Sequence, residues 1–342
     1  MIEFLLCLAI FVMLAKSRLN YLALPKLPIT TAPPPHLTII IPARNEAHQI
    51  ARAVASFPHL PVFVVDDAST DETASAALAA GAKVINAPPL PPNAKGKPNA
   101  CAAGAALAKT KWILFVDADT WFEPAFPASL ISYAESNNLQ MATAFLNQQC
   151  VTLAEKTLLP YAFALYFTGV SARSVNRQGN GTPLANGQCL LFLRSAYEQI
   201  GGHTSVIDSV IEDVAIAQQA KKYNLTLRVL RAEHLGHVRM YDGASAIWRG
   251  FQKNSFRFLQ INPLGGLQVV FSSILLTSWA PLLMVGPHRL LLFLTPFLAL
   301  LPWYSQRILL APFAIYFFQL IALNGMLTTL THRKTDWKGR GV

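Results

Sequence analysis

The sequence predicts an α/β protein, a mostly parallel and doubly wound sheet joined to membrane-embedded helices. Three observations carry this. From Leu37 onward, short apolar runs alternate with helix-like segments. Polar and acidic clusters follow three of those runs, at the strand ends where open α/β sheets bind ligands. Of 342 residues, 53% are hydrophobic and only 13% charged, with a mean hydropathy of +0.35. That is about half the charge of a soluble domain. The length allows one domain of roughly 200–250 residues plus membrane segments. A net charge of +10 would suggest nucleic acid in a soluble protein. Beside this much apolar sequence it points to anionic lipid headgroups, and no nucleic-acid partner is expected. Cys7, Cys101, Cys150 and Cys189 are widely spaced and show no zinc spacing, as expected of free thiols in a reducing compartment.

Residues 1–24 read as an N-terminal membrane anchor. Residues 2–15 are apolar apart from Glu3, but at 1.5 Å per residue they fall short of a ~30 Å hydrocarbon core, so the segment extends toward Leu24. A basic n-region and an Ala-x-Ala cleavage site are both lacking, which favours an uncleaved anchor. Lys16 and Arg18 place the following chain on the cytoplasmic side. Residues 25–36, rich in Pro and Thr, read as a linker. Strands are expected at 37–41, 62–65, 83–85 and 112–116, with helices at 46–56, 71–80 and 98–108 between them. The first strand is not followed by Gly-x-Gly-x-x-Gly, which argues against a dinucleotide site. Further strands are expected at 139–146 and 190–193, on either side of an interfacial or buried helix at 158–170 and a glycine-bearing loop at 176–187. Glu212-Asp213 opens a helix running to Tyr223.

The candidate catalytic domain, 37–243, is followed by an amphipathic segment at 244–262. Ile247, Trp248, Phe251, Phe258 and Leu259 share one helical face, and Arg249, Lys253 and Arg257 recur on another, the pattern of a helix lying on a membrane surface. Residues 263–331 form a C-terminal membrane region. It holds spans at 267–285 and 308–330 and a shorter, proline-interrupted segment at 290–304 that either crosses or re-enters. The tail, 332–342, is basic, which by the positive-inside tendency belongs in the cytoplasm.

The clusters at strand ends carry the chemistry. They are Pro42-Ala43-Arg44-Asn45-Glu46, the stretch from Asp66-Asp67 to Thr73, and Asp117-Ala118-Asp119 after the apolar run Trp112–Val116. Asn45, Ser69 and Thr70 also suit helix capping. Capping does not call for acidic residues at three successive strand ends, however, and together the clusters predict a pocket. An Asp-x-Asp pair at a strand end can hold a divalent cation through hard oxygens while leaving sites for diphosphate oxygens. Lys97, after a Pro-rich loop and at the mouth of a helix, suits an anionic phosphate.

These motifs together resemble the family 2 inverting glycosyltransferases. Their carriers are the three clusters, Gly96-Lys97, Asn186-Gly187-Gln188-Cys189, Gly201-Gly202-His203 and Glu212-Asp213, spread over about 37–254. The Pro-Leu-Pro-Pro loop, Arg239-Met240-Tyr241 and Trp248 to Asn254 resemble its membrane-bound, lipid-glycosylating branch, which includes carotenoid-acid (diaponeurosporenoate) and hopanoid-associated enzymes. The chain departs at Asn93-Ala94, where the family often has Gly-Trp or similar.

The resemblance implies a GT-A fold with a mixed sheet and a nucleotide-sugar donor, most readily a UDP-sugar. In that picture Pro42, Ala43, Glu46, Asp66 and Asp67 hold the nucleoside, with Asp67 favoured for the base edge, and Lys97 serves the donor. Asp117 faces the ribose and sugar and shares with Asp119 a Mg²⁺ or Mn²⁺ ion. Gly187, Gln188, Glu212, Trp248 and Lys253 line the acceptor side, and Asp213 is the general base. The expected activity is transfer of one sugar to a lipid acceptor by a multi-pass cell-membrane protein with a cytoplasmic catalytic domain. The alternatives are a processive polysaccharide synthase, whose Gln-x-x-Arg-Trp motif is absent, and a non-catalytic nucleotide-sugar-binding membrane protein.

Overall fold

The computed structural model describes residues 2–31, 36–179, 181–254, 263–280, 287–305, 307–330, 336–337 and 340–341. The chain divides into two compact units. One comprises Leu24–Gln149 and Val175–Met240, the other Met1–Ala23, Cys150–Ser174 and Tyr241–Val342.

The first unit is built on β1 (Leu37–Ala43), β2 (Val62–Asp66), β3 (Lys83–Asn86) and β4 (Trp112–Val116), then β5 (Thr120–Phe122), β6 (Met141–Phe145) and β7 (Asn147–Gln148), and finally β8 (Cys189–Leu193), β9 (Leu227–Arg231) and β10 (Gly236–Val238). The main sheet has the order β3-β2-β1-β4-β8-β6-β9. β1 to β4 pair in parallel, as the alternation of strand and helix predicts, while β8 runs antiparallel to both β4 and β6. The sheet is therefore mixed. All five residues of β4 are buried, which is why it reads as an unbroken apolar run, and all five of β6 are buried as well.

Helices Ile50–Ala55, Thr73–Ala79, Gly96–Ala105 and Phe126–Ser136 are interleaved with these strands. Gly104 allows the Gly96–Ala105 helix to sit against the sheet, since a Cβ there would lie 2.5 Å from Ile40 Cγ2 and 3.0 Å from Val65 Cγ2.

Register aligns the chemistry-bearing ends. Ala43 is paired with Asp66, Ile40 with Phe115 and Val116 with Cys189. Carried two residues on, the β1–β4 register sets Pro42 level with Asp117. The antiparallel β4–β8 register carries Gln188 to the same level. Beyond Asp119 the chain enters a small sheet, β5-β10-β7, in which β10 runs antiparallel to β5, and Arg239 N–H donates to Asp119 O at 3.1 Å.

The expected linker, 25–36, is not free chain where it is described. Leu27 is fully buried, Leu27 N–H donates to Arg231 O and Arg231 N–H donates to Pro25 O. β9 is the edge of the main sheet, and this segment satisfies its outward backbone groups. Residues 32–35 lie outside the described residues.

In the second unit, helix Ile2–Leu22 stands with helices Leu153–Tyr166, Ala244–Asn254, Pro263–Thr277, Arg289–Leu300 and Ala311–Leu330. The Leu153–Tyr166 helix begins at a capping box, Thr152 with Glu155, and its Tyr161 is fully buried. Most of 158–170 is buried, and the segment belongs to this unit.

Glu3 Oε2 accepts from His288 N at 3.1 Å, and Arg18 lies 5.1 Å from the Trp303 ring. Residues 288–303 thus run alongside the first helix. Of the expected span at 267–285, the structure describes helix Pro263–Thr277 and the residues to 280; 281–286 lie outside the described residues. Among the described residues two helices, Glu3–Leu22 and Ile308–Gly325, are long and apolar enough to cross a membrane.

The aromatic face expected at 244–262 is in part packed inside the unit. Trp248 meets Phe317 edge-on and Phe251 meets Phe318, while Arg249 is exposed. Residues 255–262, with Arg257, Phe258 and Leu259, lie outside the described residues, as do His332, Arg333, Lys334 and Lys338 of the basic tail.

Candidate active site

Two loops at the β1 and β2 ends are bonded into one. Asn45 N–H donates to Ser69 Oγ (3.0 Å), Thr70 N–H to Asn45 Oδ1 (2.8 Å), Glu46 N–H to Thr73 Oγ1 (2.8 Å) and Ala47 N–H to Asp71 Oδ2 (3.1 Å). Arg44 Nη1 donates to Asp67 O (2.6 Å) and Ala68 O (3.2 Å). These bonds hold Ala68 at a φ of +54°, in the left-handed region that a residue with a Cβ rarely enters. Ser69 and Thr70 therefore do not cap the Thr73–Ala79 helix. Its N-cap is Glu72, which makes no side-chain cap bond, because the Ser69 hydroxyl and Thr70 are turned to Asn45.

With the polar residues so used, Asp66 and Asp67 remain as the loop's buried carboxylates. Asp66 Oδ2 accepts from Ser69 N, and among the described residues its buried Oδ1 has no hydrogen-bond partner. Pro42 and Ala43 are the last residues of β1, and Glu46 is only partly buried. The Pro-rich loop turns at Asn93, with φ +65°, and is tied by Lys95 N–H to Ile207 O (2.7 Å) and Asn99 Nδ2 to Pro88 O (2.9 Å).

Lys97 is the centre of a second cluster. It stands in the first turn of the Gly96–Ala105 helix, 2.8 Å from Asp117 Oδ1 and 2.7 Å from Glu212 Oε1. Burial alone would lower its pKa, but the charges of Asp117, Glu212 and Asp213 together outweigh that and hold the ammonium well above the usual lysine range. Asp213 Oδ2 accepts from Gly187 N (2.9 Å) and Oδ1 from Val214 N (2.8 Å), which fixes the carboxylate plane. Burial, then the charge of Glu212, push its pKa up to about 6 against the pull of Lys97 and the two backbone donors. Gly187 has no room for a side chain, since a Cβ would meet Lys97 Nζ at 2.8 Å, Glu212 Oε1 at 3.2 Å and Asp213 Oδ2 at 3.3 Å.

Beneath this cluster, Tyr197 Oη accepts from His203 N (3.0 Å) and lies 2.9 Å from His203 Nδ1. The two groups are bonded in either tautomer of the neutral imidazole. Burial holds His203 in that neutral form, with its pKa lowered to about 3. Burial likewise pushes the Cys101 thiol well up, so it is no nucleophile here.

Asp117 and Asp119 flank the buried Ala118 at the turn after β4, and both residues keep some exposed surface. Two hard carboxylates suit Mg²⁺ or Mn²⁺, which keeps water and phosphate oxygens as its other ligands. Among the described residues no group of three His, Cys, Asp or Glu side chains is arranged to hold a metal. The fit rests on this carboxylate pair.

A family model, Glycosyl transferase family 2, matches residues 38–201. The chain carries a family 2 glycosyltransferase domain. The chain is 30% identical over 229 residues to the 4,4'-diaponeurosporenoate glycosyltransferase of Staphylococcus aureus strain MRSA252, and 29% identical to that of strain Newman. Each alignment covers 64% of this chain and 60% of the relative's length. A mannosyltransferase from Pyrobaculum calidifontis, solved with GDP-Man and Mn²⁺, superposes with a TM-score of 0.58 at 15% identity, over 95% of this chain and 99% of that one. The fold is GT-A, an α/β architecture with a mixed sheet.

The structure thus bonds Lys97 to Asp117 and Glu212, bonds Asp213 to Gly187, and leaves Asp66 and Asp67 at the β2 end. Glu212, expected on the acceptor side, bonds to Lys97. Gln188 is buried, and its Oε1 accepts from Asn186 Nδ2 (3.0 Å) and Gln148 Nε2 (3.4 Å), so its side chain braces the loop. Trp248 and Lys253 belong to the other unit. Roles for Arg44, Tyr197 and His203 went unforeseen. The Gly201-Gly202-His203 motif was visible, but its partner Tyr197 carries no sequence signal.

Proposed function

We propose that the protein transfers a single sugar from a nucleotide-sugar to a lipid acceptor, with inversion at the anomeric carbon. The observation that carries this is the Asp213 carboxylate, oriented by Gly187 and Val214 and standing beside the Lys97–Asp117–Glu212 group. The departing nucleoside diphosphate gains negative charge, and a Mg²⁺ or Mn²⁺ ion held by Asp119 and Asp117 would offset it. The Mn²⁺ in the Pyrobaculum structure supports that choice of ion. Lys97 supplies further positive charge. Asp213 accepts the proton of the attacking hydroxyl, and a pKa near 6 leaves it ionised at pH 7 yet basic enough to do so. Where the acceptor is already a carboxylate, Asp213 orients it instead.

The open Oδ1 of Asp66 is an acceptor suited to the ring N–H of uracil or guanine, with Asp67, Pro42, Ala43 and Glu46 around the nucleoside. The Staphylococcus relatives, named for a carotenoid acid, favour a lipid acceptor here too. The apolar helices Glu3–Leu22 and Ile308–Gly325, with Phe4, Leu5, Val12, Phe313 and Leu320 exposed, support anchoring in the cell membrane with the catalytic domain on the cytoplasmic face. Gly187 and Glu212 then remain candidates for the acceptor side.

The test compares lipid extracts by mass from cells with and without the protein, then assays the purified chain on the lipid that changes. Asp119→Ala and Asp213→Ala are expected to abolish its glycosylation. Full transfer by either variant refutes the assignment.

A further inference from the structure

Lys97 Nζ lies 2.8 Å from Asp117 Oδ1 and 2.7 Å from Glu212 Oε1. The backbone at Gly187 closes in on the same nitrogen, where even a Cβ would come to 2.8 Å. The ammonium therefore sits on one oxygen of the carboxylate that a divalent cation on Asp117 would share. Such an ion takes oxygen ligands at about 2.0–2.2 Å, and an ammonium at hydrogen-bond distance on the same carboxylate would repel it strongly. The Gly96–Ala105 helix, whose first turn carries Lys97, adds the positive end of its dipole to that repulsion. A lysine is also suited to leave, being a compact charge on a flexible stem.

We propose that Lys97 is a displaceable counter-ion. In the ligand-free protein it neutralises Asp117 and Glu212 and opposes a divalent cation that arrives alone. When the nucleoside diphosphate arrives with the cation, the ammonium passes from Asp117 to the diphosphate. Cation and donor then bind cooperatively through Lys97, beyond any direct contact between them. This goes past the reading of Lys97 as a donor ligand, and it takes Asp117 and Asp119 as the cation site proposed above.

The test measures Mn²⁺ binding to the full-length chain in detergent by electron paramagnetic resonance of free Mn²⁺, alone and with UDP or GDP, for wild type, Lys97→Met and Lys97→Gln. In wild type a nucleotide tightens Mn²⁺ binding. In variants that melt like wild type, Mn²⁺ alone binds at least about fivefold tighter, and the gain from nucleotide shrinks by a similar factor. Variants that bind Mn²⁺ alone no tighter than wild type overturn the counter-ion role and leave the cation site standing. A wild type whose Mn²⁺ affinity ignores both nucleotides also overturns it. No Mn²⁺ binding under any condition removes the cation site, and the proposal with it.

Discussion

Asp213→Asn separates the catalytic and stability consequences of one carboxylate. In the folded protein burial and Glu212 raise the Asp213 pKa from 3.8 to about 6, a shift of roughly 2 units. The sign follows from proton binding. Between pH 4 and 6 the folded state holds more proton on Asp213 than the unfolded state does, so wild-type stability falls as pH rises through that window. At 1.36 kcal/mol per unit the ceiling is ~3 kcal/mol. Asp213 keeps some exposed surface and shares its charge interaction with Glu212, so about 1–2 kcal/mol is the expected effect. Asparagine removes this penalty but can accept from only one of the Gly187 and Val214 N–H groups, a pH-independent loss of about 1 kcal/mol. The melting temperature of Asp213→Asn minus that of wild type should therefore climb by about 3–6 °C from pH 4.5 to 7.5. Transfer to a hydroxyl acceptor should fall by about 10²–10⁴-fold over the same range. A melting difference that stays flat or shrinks as pH rises refutes the burial and charge account. A fall in transfer of less than about tenfold on a hydroxyl acceptor refutes the base role, since general-base catalysis contributes more than that.

Other perturbations test the surrounding structure. Gly187→Ala places a methyl against Lys97, Glu212 and Asp213 and should lower kcat/KM by about tenfold or more with little change in melting temperature, because the one contact under 3.0 Å is Lys97 Nζ, the end of a flexible side chain that can shift. Chelation should stop transfer reversibly, with Mn²⁺ or Mg²⁺ restoring it to wild type but not to Asp119→Ala. Gly104→Ala drives a methyl into Ile40 and Val65 and should cost about 1–3 kcal/mol, read as a lower midpoint of thermal or denaturant unfolding. Tyr197→Phe removes the hydroxyl bonded to His203 N and Nδ1 and should cost about 1–3 kcal/mol by the same measurement.

What the sequence by itself determined is local. Strand Trp112–Val116 falls on the expected residues, and β1, β2 and the Glu212–Lys222 helix fall within a few residues of theirs. Their apolar runs and periodicities are set by neighbours in the chain, and strand-end acids announce the sheet edge that carries the site. Pairings across long separations were not legible. Nothing near Glu212 points to Lys97, 115 positions earlier, and only the sheet's strand order brings them to 2.7 Å. Gln188 looks like a ligand until the packing shows its amide spent on Asn186 and Gln148. The Pro- and Thr-rich stretch reads as linker until the free edge of β9 takes up its backbone. The assignment of 150–174 to the helical unit likewise rests on which apolar faces meet. Composition and period show that a residue is buried or polar. Which groups share a hydrogen bond or a charge is settled where the chain closes on itself, because those interactions depend on distances of a few ångströms between residues far apart in sequence.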